Sequence, residues 1–291
     1  MNKWKESVLL RSLLGFFLLF FVFVVLFIFI LPSNRQSLKT VGKLKSDKKD
    51  RVTYVAIGDS LTQGVGDTTN QGGFVPILSQ AMGADFNWQV TSSNYGVAGN
   101  TSNQILKRMK EKADIQRDLK KAKLMTLTVG GNDVMHVVKD NITNLSVDTF
   151  NKPAVAYQKR LRQIVELARK DNKTLPIYII GIYNPYYLNF PDMTEMQTIV
   201  DNWNKATEEV SKEYQNVYFV PVNDLLYKGI DGKGGVTSAD ETSQSSKSSS
   251  KNLNDALFED DHFHPNNTGY QIMSDAILKR ITQTKKEWSG E

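Results

Sequence analysis

Three histidines are available to this chain, His136, His262 and His264, and two of them lie in the run Asp260-Asp261-His262-Phe263-His264-Pro265-Asn266. An imidazole becomes a useful general base when a carboxylate accepts from its Nδ1–H, which fixes the tautomer and leaves Nε2 to take a proton. Pro265 disfavours helical φ and ψ at His264, and the asparagines after it suit a helix N-cap. His264 is therefore expected on a turn at a helix start, with Asp261 able to fold back onto its ring. The cluster Asp260, Asp261, His262 and His264 is equally compatible with a surface hydrogen bond or a metal site. Far upstream, Tyr54-Val55-Ala56-Ile57-Gly58-Asp59-Ser60 is an apolar strand running into a glycine turn. A serine there stands at the carboxyl edge of a sheet, exposed enough to attack, its own N–H facing a developing oxyanion; the plainer alternative is a capping serine that ends a strand. The sequence holds no cysteine, so any nucleophile is oxygen or nitrogen, and thiolate chemistry and Cys-ligated metal are excluded.

Two more segments end predicted strands: Asn94-Tyr95-Gly96-Val97-Ala98-Gly99-Asn100-Thr101 and Gly130-Gly131-Asn132-Asp133. Their glycines permit close backbone approach to a ligand, and Asn132 offers an amide donor to the same crevice. With these in place the chain resembles the SGNH hydrolases, also called GDSL esterases and lipases, over essentially all of residues 52 to 285. The matching blocks occur in order as GDSLTQG at 58 to 64, NYGVAGNTS at 94 to 102, GGND at 130 to 133 and DDHFHPNNTGY at 260 to 270. The resemblance implies Ser60 as nucleophile, His264 as general base and Asp261 as its orienting carboxylate. It further implies an oxyanion hole from Ser60 N–H, Gly99 N–H and the Asn132 side chain, with Asp59, Asn94 and Asp133 holding the loops. Polar Gln63 departs slightly from the first block, and His262 reads as an exposed bystander.

The elements that must position these residues are legible in the hydrophobic period. Val52 to Ile57, Trp88 to Tyr95, Leu124 to Val129, Ile177 to Ile182 and Val217 to Val222 are strand-length apolar or β-branched runs. Between them Tyr157, Leu161, Ile164, Val165 and Ala168 recur at helical spacing, as do Met193, Met196, Ile199, Trp203, Ala206 and Val210, and finally Tyr270, Met273, Ile277 and Ile281. Such alternation predicts an α/β fold: a three-layer α/β/α domain with a flavodoxin-like parallel five-stranded sheet at about 52 to 285, its site at the carboxyl ends of the strands. A short tail, 286 to 291, follows. The Ser-rich segment at 229 to 254 cannot bury enough apolar surface to order itself and is expected as a mobile surface loop, filler or lid. Tyr183, Tyr186, Tyr187 and Phe190, clustered around Pro185 and Pro191, suit either a cleft wall or ordinary packing.

Ahead of this domain, residues 1 to 12 form a short N-terminal segment. Residues 13 to 31 then read LLGFFLLFFVFVVLFIFIL, nineteen positions without a charge, long enough to approach the ~30 Å hydrocarbon thickness as a helix. No small-residue cleavage site follows, so an uncleaved transmembrane anchor is expected. The Lys-rich stretch from 32 to 51 reads as a polar stalk. The positive-inside count favours a cytoplasmic domain, but long domains translocate largely regardless, and an extracytoplasmic domain in the cell membrane is expected.

Charge follows the same division. The formal net charge of +5 is concentrated in residues 1 to 51, which hold ten Lys/Arg against Glu6, Asp47 and Asp50; the remainder carries 26 basic and 28 acidic residues. That remainder gives no electrostatic reason to bind a polyanion, and no nucleic-acid partner is expected. The expected protein is a monomeric, membrane-tethered carboxylic ester hydrolase acting through an acyl-enzyme on a lipid or acylated sugar, without cofactor or metal. An acyltransferase to a cell-surface sugar with the same triad and a catalytically silent binding module are the alternatives.

Overall fold

The computed structural model describes residues 49–141, 145–187, 193–227 and 255–290. The apolar run at 13 to 31, the stalk up to residue 48, Phe190 and Pro191, and the Ser-rich segment at 229 to 254 lie outside the described residues. Among the described residues, no helix is long and apolar enough to cross a membrane.

Five strands form one sheet: β1 (Asp50–Gly58), β2 (Trp88–Gly96), β3 (Ala122–Thr128), β4 (Ile177–Ile180) and β5 (Val217–Val220). Their order is β2-β1-β3-β4-β5, and every pairing is parallel. This is the doubly wound order expected from the strand–helix alternation, and it places all carboxyl ends on one edge. Three differences from the sequence reading have physical causes. Asp50 and Arg51, expected in the stalk, pair with Trp88 and Gln89 and begin β1. Strands β3, β4 and β5 end before Val129, Ile182 and Val222, because the chain leaves the ladder there, and Val129 and Ile182 turn to wall the crevice. The final helix runs to Trp288, into the stretch expected as a tail, since Trp288 packs near Trp88 and donates from Nε1 to the Tyr178 hydroxyl at 3.0 Å.

Side chains alternating along β1 go to two cores. Val55 and Ile57 pack with α3 (Ser102–Glu111), α4 (Ala113–Lys121), α6 (Asn151–Ala168) and α7 (Thr194–Lys212). Tyr54 and Ala56 pack with α2 (Phe74–Asp85), α8 (Asn223–Leu226) and α9 (Asn267–Trp288). The expected three layers follow from this. The helical periods fall where predicted, except that Met193 stands exposed before the first turn of α7.

Candidate active site

At the carboxyl end of β1 the chain turns into α1 (Ser60–Gln63), a single helical turn capped by Asp59, whose Oδ1 accepts from Leu61 N–H at 3.1 Å. The turn is tied to β3. Thr128 Oγ1 donates to Asp59 Oδ1 at 2.8 Å and accepts from Asp59 N–H at 3.2 Å, and the Thr62 hydroxyl lies 2.8 Å from that of Thr128. A Cβ at Gly58 would collide with both threonine hydroxyls, so only glycine lets this knot close. Burial pushes the Asp59 carboxyl above the usual carboxylate range against the hydrogen bonds from Thr128 and Leu61 and the opposing electrostatic pull of His264. Ser60 is 7 % exposed. The serine is recessed, its residue lining the wall of a crevice.

The second and third glycine turns meet this one. Asn94 donates from Nδ2 to Thr62 C=O at 2.7 Å and accepts from Gly96 N–H at 2.9 Å, while Gln63 Oε1 accepts from Ala98 N–H at 2.6 Å. Gln63, a departure in the sequence block, thus holds the turn that carries Gly99. Gly99 has φ +77°, and nothing within 4 Å would meet a Cβ there. Asn132, in the first turn of α5 (Gly131–Asp140), donates from Nδ2 to Asn100 C=O at 3.1 Å, which brings the third turn against the second. Behind it Asp133 accepts from Ser102 N–H at 2.7 Å and pairs with Arg160 at 3.1 Å.

Arg108 went unread in the sequence, yet it joins two of these turns: Nε donates to Asn100 Oδ1 at 2.7 Å, Nη1 to Tyr95 C=O at 3.1 Å and Nη2 to Gly58 C=O at 2.9 Å. Burial lowers its pKa, with the Asp59 charge opposing. On an amphipathic helix an arginine carries no local sign of such a role. Thr62 stood inside a motif without a role, and Thr128 had no signal beyond its place at a strand end.

The histidine sits on a turn before α9, as predicted. Its Nδ1 is 2.6 Å from Asp261 Oδ2, and Asp261 Oδ1 accepts from the N–H groups of Phe263 and His264 at 2.9 and 3.0 Å. Although burial raises it, these bonds and the His264 charge hold the Asp261 carboxyl below the ordinary carboxylate value. Asn266 caps α9 by accepting from Gly269 N–H at 3.0 Å. His262 is exposed, and among the described residues no group of three or more His, Asp or Glu side chains could hold a metal.

The loop at 64–73 links the serine turn to the helix that follows His264. Asp67 accepts from Thr69, Gln71, Gly72 and Gly73 N–H, buckling residues 64–73 around one carboxylate, which holds its pKa at about 2 against the opposing pull of burial. From this loop Thr68 N–H donates to Asn267 Oδ1 at 3.0 Å and Asn267 Nδ2 donates to Thr68 Oγ1 at 2.8 Å, while the Tyr270 hydroxyl donates to Val65 C=O at 2.6 Å. Gly66, at φ +91°, lies so close that a Cβ would strike Pro265 C=O and touch His264 Cβ.

The crevice itself is lined by Ser60, Leu61, Val129, Asn132, Ile180, Ile182, Tyr183, Pro185 and Phe263, the residue before His264. Of the predicted aromatic cluster, Tyr183 is a wall and donates from its hydroxyl to Phe263 C=O at 2.6 Å; Tyr187 packs on Tyr227 instead. Among the described residues, Ser60 Oγ and His264 Nε2 make no hydrogen bond to each other. Ser60 lines the crevice with an apolar wall and the Asn132 amide beside it, and His264 follows directly on the lining residue Phe263.

Comparison with known proteins gives the family to which this arrangement compares. The profile of the GDSL-like lipase/acylhydrolase family matches residues 56–272. An uncharacterized protein YpmR of Bacillus subtilis is 30% identical over 250 residues, covering 84% of this chain and 87% of that protein. The spore germination lipase LipC of Bacillus licheniformis is 24% identical over 230 residues, covering 77% and 93%. Among solved structures, the lipase Lip_vut3 from a goat rumen metagenome aligns with a TM-score of 0.62 at 21% identity, over 78% of this chain and 96% of that one, a likeness of fold.

Proposed function

This chain belongs to the GDSL-like lipase/acylhydrolase family and is an ester hydrolase of that type, and from that premise we propose that it cleaves carboxylic esters through an acyl-enzyme on Ser60. His264 takes the Ser60 proton as Oγ bonds to the ester carbonyl carbon, and Asp261 steadies the imidazolium that forms. The carbonyl oxygen, now an anion, is met by Ser60 N–H, Gly99 N–H and Asn132 Nδ2. The alcohol leaves with the proton from His264, and a water repeats the sequence to release the acid. The observation that carries this reading is the 2.6 Å bond from His264 Nδ1 to Asp261 Oδ2, which orients the imidazole one residue after Phe263, a residue lining the same crevice as Ser60 and Asn132.

Leu61, Val129, Ile180, Ile182 and Phe263 suit an apolar acyl group, with the alcohol portion, of a lipid or an acylated sugar, toward solvent. The apolar run at 13 to 31 anchors the chain in the cell membrane with this domain outside. Covalent labelling with a fluorophosphonate tests the nucleophile: the adduct is expected on Ser60 and absent from Ser60→Ala, and an unlabelled but folded parent would end the acyl-enzyme reading. A panel of esters varied in chain length and in sugar content, with and without a sugar acceptor, separates lipid from sugar and hydrolysis from acyl transfer.

A further inference from the structure

The near-neutral charge of the domain conceals a segregation that the strand order creates. Parallel strands gather every helix-to-strand connection at the amino ends of the sheet and every strand-to-helix connection at the carboxyl ends. At the carboxyl ends lie Asp59, Asp67, Asp133, Asp224, Asp260 and Asp261. The amino ends are basic. Lys120 and Lys121 close α4 and Lys170 and Lys173 precede β4, and all four are exposed. Asn172 binds these two segments together by donating to Leu119 C=O and Ala122 C=O at 3.1 and 2.9 Å. The patch continues through Lys123, whose Nζ lies 5.8 Å from the ring of half-buried Trp288, to exposed Lys286. Asp50, Asp85, Glu166, Asp171, Glu213 and Glu287 are acidic residues on this end; Glu213 is already paired with Arg162 at 2.6 Å, and Glu166 accepts from the Tyr214 hydroxyl at 3.1 Å.

We propose that this basic end docks on the surface of a bilayer containing anionic phospholipid. Two observations select a bilayer as the partner. The charge is complementary to an anionic headgroup layer, which attracts lysines held near it. In addition, the chain enters the domain on this end, at Lys49 and Asp50, directly after the 48 residues that carry the uncharged run at 13 to 31. Trp288 beside Lys123 and Lys286 supplies an amphipathic ring of the kind enriched at headgroup depth. Nine-residue β1 separates this end from Ser60 by roughly 30 Å. Docked in this way, the domain turns the Ser60 crevice away from the lipid, and its ester arrives from the aqueous side. The inference rests on the membrane-anchor reading and is independent of the chemistry at Ser60.

The test uses the full chain in nanodiscs of phosphatidylcholine alone or mixed with phosphatidylglycerol, read by trace labelling of lysines with a water-soluble amine reagent. Labelling of Lys120, Lys121, Lys170, Lys173 and Lys286 is expected to slow by about fivefold or more in the anionic discs, to recover at high salt, and to leave Lys107, Lys152 and Lys205 unchanged. The quadruple variant Lys120→Glu, Lys121→Glu, Lys170→Glu, Lys173→Glu should return Lys286 to its phosphatidylcholine rate while hydrolysing a short-chain aryl ester like its parent, which shows that it is folded. Equal labelling in both lipids overturns the proposal, as does protection produced only by a soluble polyanion such as polyphosphate. A chain that fails to remain with the phosphatidylcholine discs overturns the anchor instead, and lost ester turnover in the parent counts against the reading of Ser60.

Discussion

Asp59 precedes the serine and Asp261 holds the histidine, but Asp59 is 4 % exposed beneath hydrogen bonds from β3, whereas Asp261 lies on a surface turn with its side chain 35% exposed. The serine side is built into the sheet: Gly58, Thr62, Thr128 and Arg108 tie it to two strands and a helix. The histidine side is a short turn held by Tyr183 O–H on Phe263 C=O, by Phe258 N–H on His264 C=O, and through the following helix by the loop at 64–73. A nucleophile is thus set by the same contacts that set the fold, while the base is set by contacts the fold could survive losing. Damage to the first side should cost stability along with activity, and damage to the second should cost activity first.

The largest break in this comparison removes chemistry from both sides equally. Ser60→Ala is expected to lose kcat by on the order of 10⁴ or more with an unchanged melting temperature, measured on a short-chain aryl ester; parental turnover would remove Ser60 from the reaction. Next, Asn132→Ala should lower kcat about 10²- to 10³-fold with KM nearly constant, because an oxyanion donor acts on the transition state.

Gly66→Ala sharpens the contrast. Its φ of +91° and the neighbouring Pro265 carbonyl leave no room for a methyl group, so the histidine turn must shift. A displacement near 1 Å costs on the order of 10²-fold in kcat, and circular dichroism and the melting curve should change far less than turnover does. Thr128→Val attacks the opposite side. It strips hydrogen bonds from a buried carboxylate and should destabilise by about 1–3 kcal/mol, seen as a lowered denaturant midpoint, with a smaller loss of kcat. If Thr128→Val were fully stable and inactive, the division between the two sides would be misdrawn.

The smallest expected effect carries a pH signature. Asp67 has its folded pKa depressed to about 2, so the stability it contributes is fully present above the ordinary carboxylate value near 3.8 and is lost as pH falls toward 2. Asp67→Asn should therefore melt below the parent at neutral pH, and the gap should narrow between about pH 4 and 2. A gap independent of pH would assign Asp67 no role as an ionised brace. Turnover in this variant is expected to drop only severalfold.

Much of this was legible because it is local. The Asp261–His264 bond spans three residues and follows from a proline-set turn, and the Asn266 cap follows from the residues beside it. The strand and helix periods fixed which segments form layers, and the glycines at 58, 99 and 130 marked the turns. Arg108 was illegible because its acceptors, the carbonyls of Tyr95 and Gly58, lie 13 and 50 residues away and become neighbours only when β2 pairs with β1. The loop around Asp67 reaches the helix behind the histidine turn through Thr68 and Asn267, which are 199 residues apart. No spacing rule connects such pairs.

From the chain alone came the alternating elements, the family motifs, the imidazole with its carboxylate, and a net charge near zero for the domain, since each depends on residue identity or on neighbours a few positions apart. Only the folded sheet decided that Ser60 is recessed, that Thr128 and Arg108 brace its turn, and that the cations gather at the end opposite the crevice. Strand order sets these distances, and a sum over the sequence carries no record of where its charges lie.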